Sequence, residues 1–314
     1  MSVGVHFTME LIHDLCHFLK DTVILLLLIL LSLLEAFYRL VVPVSRKSLY
    51  GEVAVVTGAG HGIGAELARQ LAHLGVSVAC WDINEETVTA LVEELSGLGA
   101  TAVALKVDVS DEKQVEDAAK KTIEEVGEVT LLFNNAGIMP CKPLLSFSAN
   151  EVRSQFSVNV LSHFWTIKQF LPRMIKNQKG HIVAMSSVAG LNGAPNLTPY
   201  CSTKFAVKGL MDSLFLELRA HHRDLNPIQL TTVHPYVVTT GLAKNPSSRF
   251  MSILPYTTPK KAAELTLAAV RTNQEEAFIP SFLSPLYRMS KLWPRQAQLA
   301  VLDYLQMSFG VSED

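Results

Sequence analysis

Tyr200 and Lys204 stand four positions apart, a spacing that brings two side chains onto one face of a helix. A phenol ionises near pH ~10 and is a weak base at neutral pH, but an ammonium beside it stabilises the phenolate and lowers that value. The pair is a candidate for general acid/base chemistry, with Tyr200 carrying the proton. Ser187 lies 13 residues upstream, at the end of a β-rich segment, where its hydroxyl could hydrogen-bond a substrate oxygen that gains or loses charge. A second constellation is Thr57-Gly58-Ala59-Gly60-His61-Gly62-Ile63-Gly64. Glycines there permit a tight turn and a close approach of backbone to a pyrophosphate, while the following helix N-terminus faces the anion. Asp82, 18 residues beyond Gly64, could take two ribose hydroxyls and repel a 2'-phosphate, which favours NAD over NADP. Asn84-Glu85-Glu86 follows it, so a helix-capping role for Asp82 is the competing reading.

The elements that must position these groups alternate. Strand-like segments are expected at 53–57, 77–81, 102–107, 130–133, 181–185 and 229–233, and helices at 64–74, 84–98, 111–126, 150–177 and 198–220. Strands separated by helices of this length form βαβ units with right-handed crossovers. The expected fold is α/β: a single Rossmann-like, doubly wound parallel sheet. No internal repeat is visible.

In this order the chain carries TGxxxGxG at 57–64, Asn134-Asn135-Ala136-Gly137 after the fourth strand, Asn159 within a helix, Ser186-Ser187, and Tyr200 with Lys204. Over residues 50–280 it thereby resembles the short-chain dehydrogenase/reductase family. The resemblance implies that Tyr200, Lys204, Ser187 and Asn159 form the catalytic set, the spacing to the tyrosine selecting Ser187 over Ser186. It implies that Asn159 holds a water in a proton relay through Lys204, a satisfied helix kink being the plainer alternative, and that Lys204 also binds the nicotinamide ribose. Cofactor contacts are implied for Gly58, Gly62, Ile63, Gly64, Asp82, Asn135, Gly137, Val238 and Thr240, with Asp108 and Val109 against the adenine. One departure stands out: His234-Pro235-Tyr236 puts a tyrosine where the family commonly has glycine, which questions the loop geometry. Trp81-Asp82-Ile83-Asn84, Pro199-Tyr200-Cys201-Ser202 and Lys244-Asn245-Pro246-Ser247 resemble the membrane-associated branch that holds 17-beta-hydroxysteroid and retinol dehydrogenases. That branch implies lipophilic alcohols as substrates, NAD, residence on the endoplasmic reticulum or lipid droplets, and a homodimer built through the helices around 150–177 and 198–220. Leu242, Pro246, Phe250, Met251, Ile253, Leu254, Pro255 and Tyr256 supply an apolar covering suited to such a ligand.

Composition adds a location. The mean hydropathy of +0.26 is high for a soluble domain, and the excess sits largely in Val23 to Val44, where 18 of 22 residues are apolar. The charge-free core of that run, Val23 to Leu34, would extend about 18 Å as a helix, short of the roughly 30 Å hydrocarbon thickness. Upstream, Leu11, Ile12, Leu15, Phe18 and Leu19 follow helical spacing among polar residues, which favours an anchor lying in one leaflet over a full crossing. Glu35 to Arg39 is too bulky and charged for signal cleavage, and a run apolar on every face has no obvious soluble partner layer. Arg39, Arg46 and Lys47 keep the rest of the chain on the cytosolic side. The expected organisation is an anchor at 1–45, a catalytic domain at 46–280, and an amphipathic extension at 281–314 that contacts the membrane surface. Four scattered cysteines without a CxxC pair agree with a reducing compartment and no metal site, and a net charge of -2 argues against nucleic-acid partners. The competing function is a membrane or lipid-droplet surface protein that binds NAD structurally and acts through protein partners.

Overall fold

The computed structural model of the chain describes residues 2–42, 44–221, 227–243, 246, 247, 249, 256–306 and 310. Residues 1–46 and 47–314 form two compact units. The first contains one continuous helix, α1 (Ser2–Val41). Its section His13–Tyr38 is 26 residues long, apolar and exposed, about 39 Å of helix, which is long enough by length and composition to cross a membrane. The polar residues upstream of Val23 continue the same helix into the apolar run without a break. The side chains of Leu11, Ile12 and Arg39 lie outside the described residues.

The second unit is a seven-stranded parallel sheet of β1 (Val53–Thr57), β2 (Ser77–Asp82), β3 (Ala102–Lys106), β4 (Leu131–Asn134), β5 (Gly180–Met185), β6 (Ile228–Pro235) and β7 (Glu276–Ile279). Its order is β3-β2-β1-β4-β5-β6-β7. The helices are α2 (Gly62–His73), α3 (Glu85–Gly97), α4 (Glu112–Val126), α5 (Ala149–Phe156), α6 (Ser162–Lys176), α7 (Thr198–His221), α8 (Pro259–Arg271), α9 (Leu283–Ser290) and α10 (Arg295–Leu305). The central strands read as unbroken apolar runs because both faces are covered. Ala54 and Val56 point into a core with Leu67, Leu71, Leu91 and Val270, whereas Val55 between them joins Trp81, Phe170, Met174 and Leu218 on the opposite face. The sheet is thus doubly wound, as the strand–helix alternation predicts. The winding reverses between β1 and β4, so a crevice opens at the carboxyl ends of those two strands.

The helix expected over 150–177 is interrupted. A π-helical turn, Ser157–Leu161, separates α5 from α6 and carries Asn159. β7 and α8 lie beyond the pattern read from the sequence, since four residues starting at Glu276 are too short to show a period.

Candidate active site

The crevice holds a cleft of about 620 Å³. At one end lies the glycine turn. Gly58 and Gly62 adopt φ of +64° and +58°, a region that L side chains rarely enter. A Cβ on Gly64 would stand 2.0 Å from the Gly58 carbonyl oxygen, so the turn can close on α2 only without one. Asn135 ties the turn to β4: its Nδ2 donates to the carbonyls of Thr57 (2.9 Å) and Gly58 (3.2 Å), and its backbone N–H donates to Thr57 Oγ1. Asp82 accepts from the Gly60 N–H through Oδ2 (2.8 Å) and from the Asn84 N–H through Oδ1 (2.9 Å). The cap of α3 is Asn84, whose side chain accepts from the Thr87 N–H, which removes the capping alternative for Asp82 and leaves its carboxylate lining the cleft.

At the other end, α7 presents Tyr200 and Lys204 inward, both buried, with Lys204 Nζ 5.6 Å from the Tyr200 ring centre. Lys204 Nζ donates to the Met185 carbonyl at the end of β5 (2.8 Å). Ser187 follows that strand, its Oγ accepting from the Ala189 N–H and donating to the Pro235 carbonyl over a long 3.3 Å. Ser186, the alternative serine, is committed to the Lys204 carbonyl at 2.9 Å.

Asn159 spends its amide on structure. Nδ2 donates to the Ile138 carbonyl and to Thr203 Oγ1, while Oδ1 accepts from the Ile138 N–H, so the π-turn clamps the loop after β4 to α7. A Cβ on Gly137 would lie 3.4 Å from Asn159 Oδ1 and 3.6 Å from Lys204 Nζ, which places all three together. Thr203 completes this clamp, and nothing in its sequence neighbourhood marks it.

Burial dominates the electrostatics. It pushes the Tyr200 phenol up to about 12, with the Ser187 hydroxyl pulling the other way, and pushes the Lys204 ammonium down to about 8. The phenol thus moves up, opposite to the net lowering expected beside an ammonium, because loss of water dominates. Buried His163, two residues beyond the π-turn, is held down at about 3 by burial and by the Lys204 charge.

Gly58, Gly62, Ile63, Asp82, Asn135, Gly137, Ser187, Tyr200, Lys204, Val238 and Thr240 all line the cleft, and Gly64 packs immediately beneath its turn. Asp108 and Val109 do not line it. Asp108 Oδ1 accepts from the Ser110 N–H and hydroxyl, and Val109 is packed in the core. Tyr236 lines the cleft without a positive φ, so tyrosine at the usual glycine position imposes no strain. His234 is packed at 5.0 Å against Phe278, as a strand-end residue. Around Tyr200 an apolar wall gathers Met139, Cys141, Ala189, Ala194 and Leu197. Of the apolar covering expected after Thr240, Leu242 lines the cleft, Pro246 and Tyr256 do not, and Phe250, Met251, Ile253, Leu254 and Pro255 lie outside the described residues, as do Lys244 and Asn245.

Residues 52–249 match the family model described as short chain dehydrogenase. The chain is 39% identical over 285 residues to estradiol 17-beta-dehydrogenase 11 of Homo sapiens, covering 91% of this chain and 93% of that one. It is 37% identical over 277 residues to epidermal retinol dehydrogenase 2 of Homo sapiens, covering 88% and 89%. A crystal structure of a short chain dehydrogenase/reductase from Burkholderia phymatum in complex with NAD superposes with a TM-score of 0.69 at 28% identity, covering 77% of this chain and 93% of that one. With the doubly wound sheet, the glycine turn at its switch point and the Ser187, Tyr200 and Lys204 cluster already in view, these matches lead to one statement: the chain belongs to the short-chain dehydrogenase/reductase family of oxidoreductases.

Proposed function

We propose that this chain is an NAD-dependent dehydrogenase of a lipophilic secondary or allylic alcohol, a steroid or a retinoid, held at a membrane or lipid-droplet surface. The observation that carries the reading is the cleft itself. One end offers a glycine turn with a carboxylate, and the other a buried tyrosine, lysine and serine inside an apolar wall. Asp82 is the group that would take the adenosine ribose hydroxyls, and its negative charge favours NAD over the 2'-phosphorylated cofactor. Gly58, Gly62, Ile63 and Gly64 would hold the pyrophosphate, Asn135, Gly137, Val238 and Thr240 the nicotinamide half, and Lys204 the nicotinamide ribose. Asp82 pairs with Lys106 across β2 and β3, so Asp108 and Val109 sit at the next strand's end and reach only an adenine extending past the cleft.

Bound NAD supplies the hydride acceptor and a positive nicotinamide ring. Tyr200 accepts the alcohol proton, and Lys204, still an ammonium at neutral pH, favours the phenolate that this requires. Ser187 exchanges its long bond to the Pro235 carbonyl for one to the substrate oxygen. Asn159 Oδ1 keeps a lone pair beside Lys204 and is where a relay water is expected. The acid that binds ribose, together with the usual cellular excess of NAD, favours oxidation.

Steroid and retinoid alcohols enter the proposal through the names of the two human relatives, and the Met139, Cys141 and Leu197 wall supports an apolar ligand. The length and composition of α1 support an anchor at 1–45, with Arg46 and Lys47 keeping the domain of 46–280 cytosolic, on the endoplasmic reticulum or lipid droplets. Exposed Leu161, Phe164, Phe205 and Leu216, on or beside α6 and α7, support a homodimer through those helices. Exposed apolar residues of α9 and α10 support a lipid contact for 281–314. The alternative, a surface protein that binds NAD structurally, is disfavoured by the intact Ser187, Tyr200 and Lys204. NADH formation by the detergent-held full chain over a panel of retinol, estradiol and other lipid alcohols tests the reading. Turnover of at least one is expected, and NAD binding without turnover of any would favour the alternative.

A further inference from the structure

Helix α9 has two faces. Leu283, Tyr287 and Lys291 lie four apart and turn toward the domain, whereas Phe282, Leu286, Met289 and Trp293 form an outward stripe exposed by 46%, 54%, 54% and 38%. The inward face is linked to the Ser187 loop by an unbroken chain of contacts. Lys291 Nζ donates to the Leu191 carbonyl (3.2 Å) and stands 4.7 Å over the Tyr287 ring. Tyr287 stacks on Phe278 at 5.6 Å between ring centres, and Phe278 on His234 at 5.0 Å. His234 Nδ1 stands 3.3 Å from the Ser187 carbonyl oxygen. The Gly190 N–H donates to the same Ser187 carbonyl and the Leu191 N–H to that of Val188, closing a ring from Ser187 through the helix and back.

We propose that the outward stripe of α9 docks on an anionic phospholipid surface, and that docking firms the Ser187 loop through Lys291, Tyr287, Phe278 and His234. The occupant follows from chemistry on the same segment. The stripe is bordered by exposed Arg288 and Arg295, which complement acidic headgroups while the apolar side chains enter the interface. Because Lys291 bonds to the Leu191 carbonyl and Tyr287 packs on Phe278, holding α9 in place holds those partners. The inference deepens the lipid contact proposed for 281–314 and rests on the oxidoreductase reading only for its consequence, a serine set more firmly for the substrate oxygen.

Hydrogen exchange on the full chain tests it without requiring turnover. The chain is compared in dilute neutral detergent and in phosphatidylcholine vesicles with and without phosphatidylserine. Amides of 188–192 and of α9 are expected to exchange roughly threefold or more slowly on the anionic vesicles. Leu286→Asp with Met289→Asp should abolish both gains. Lys291→Met should keep the gain in α9 and lose it at 188–192, and Lys291→Arg should restore it. Equal protection at 188–192 in Lys291→Met and the unmodified chain would overturn the coupling, and an unchanged α9 in the double aspartate variant would overturn the docking. Absence of activity toward every alcohol would leave these exchange outcomes readable, so failure of the enzymatic reading is distinguishable.

Discussion

At the residue scale the site is governed by what burial does to two ionisable groups. Tyr200 is stabilised as the neutral phenol and Lys204 is strained as the ammonium, both by loss of water. If Tyr200 carries the proton, Tyr200→Phe removes that step while leaving the ring packed against Cys141 and Leu197. Turnover should fall by roughly a thousandfold or more, with NAD affinity nearly unchanged in a binding titration. Comparable turnover in the variant would refute the assignment. Lys204 yields a stability prediction with a definite sign. Its folded value of about 8 lies below the ordinary 10.5, so between those values the unfolded chain binds more protons and stability rises with pH. Lys204→Met should therefore be more stable than the unmodified protein at pH 7, and inactive. The gap in denaturant midpoint should narrow from pH 8 toward 10. A gap that stays constant over that range would show that the ammonium is not the strained species. Above pH 10 Tyr200 works the other way, since the unfolded phenol ionises before the folded one at about 12.

At the element scale, two short irregular pieces do the positioning. The glycine turn between β1 and α2 is closed by contact between Gly64 and the Gly58 carbonyl, with Asn135 bonding across it. Gly64→Ala must push that carbonyl away. NAD binding should weaken about tenfold or more while the thermal midpoint drops only a few degrees, because the strand and helix on either side remain packed. An alanine variant with normal affinity would mean that the turn is not where the pyrophosphate sits. The π-turn between α5 and α6 is the second piece. Its extra residue rotates Asn159 into the gap beneath Ile138, where the side chain replaces hydrogen bonds that no strand or helix supplies there.

At the scale of the whole molecule, the α/β unit of 47–314 is joined to a helix that is apolar and exposed over His13–Tyr38. Lys47, the first residue of that unit, donates from Nζ to His181 Nδ1 at 2.9 Å and pairs its backbone with Arg271, so the tether ends in a fixed place at the base of the sheet. Deleting residues 1–45 should leave a folded domain that still associates with anionic vesicles, weakly and in a salt-sensitive way, through 281–306. Complete solubility in a vesicle sedimentation assay would sink the carboxyl-terminal contact.

What the sequence by itself determined was local or periodic: the alternation of strands and helices, the glycine turn, the Tyr200–Lys204 spacing and the apolar segment. Each of these is written in neighbouring residues, because helical and strand periods act over a few positions and turn chemistry over fewer still. Tertiary structure decided the rest. Asp82 faces the cleft because Asn84 takes the helix cap and the Gly60 N–H takes one carboxylate oxygen. Asp108 and Val109 fall outside the cleft lining because the chain after β3 turns down into α4, where Asp111 is the cap. The Tyr200 phenol rises rather than falls because Met139 and Cys141, from the loop after β4, close over it together with Ala189, Ala194 and Leu197 and shut out water. Spacing along a chain reports which groups can meet. How much water is left around them depends on everything packed over them, and only the folded molecule contains that.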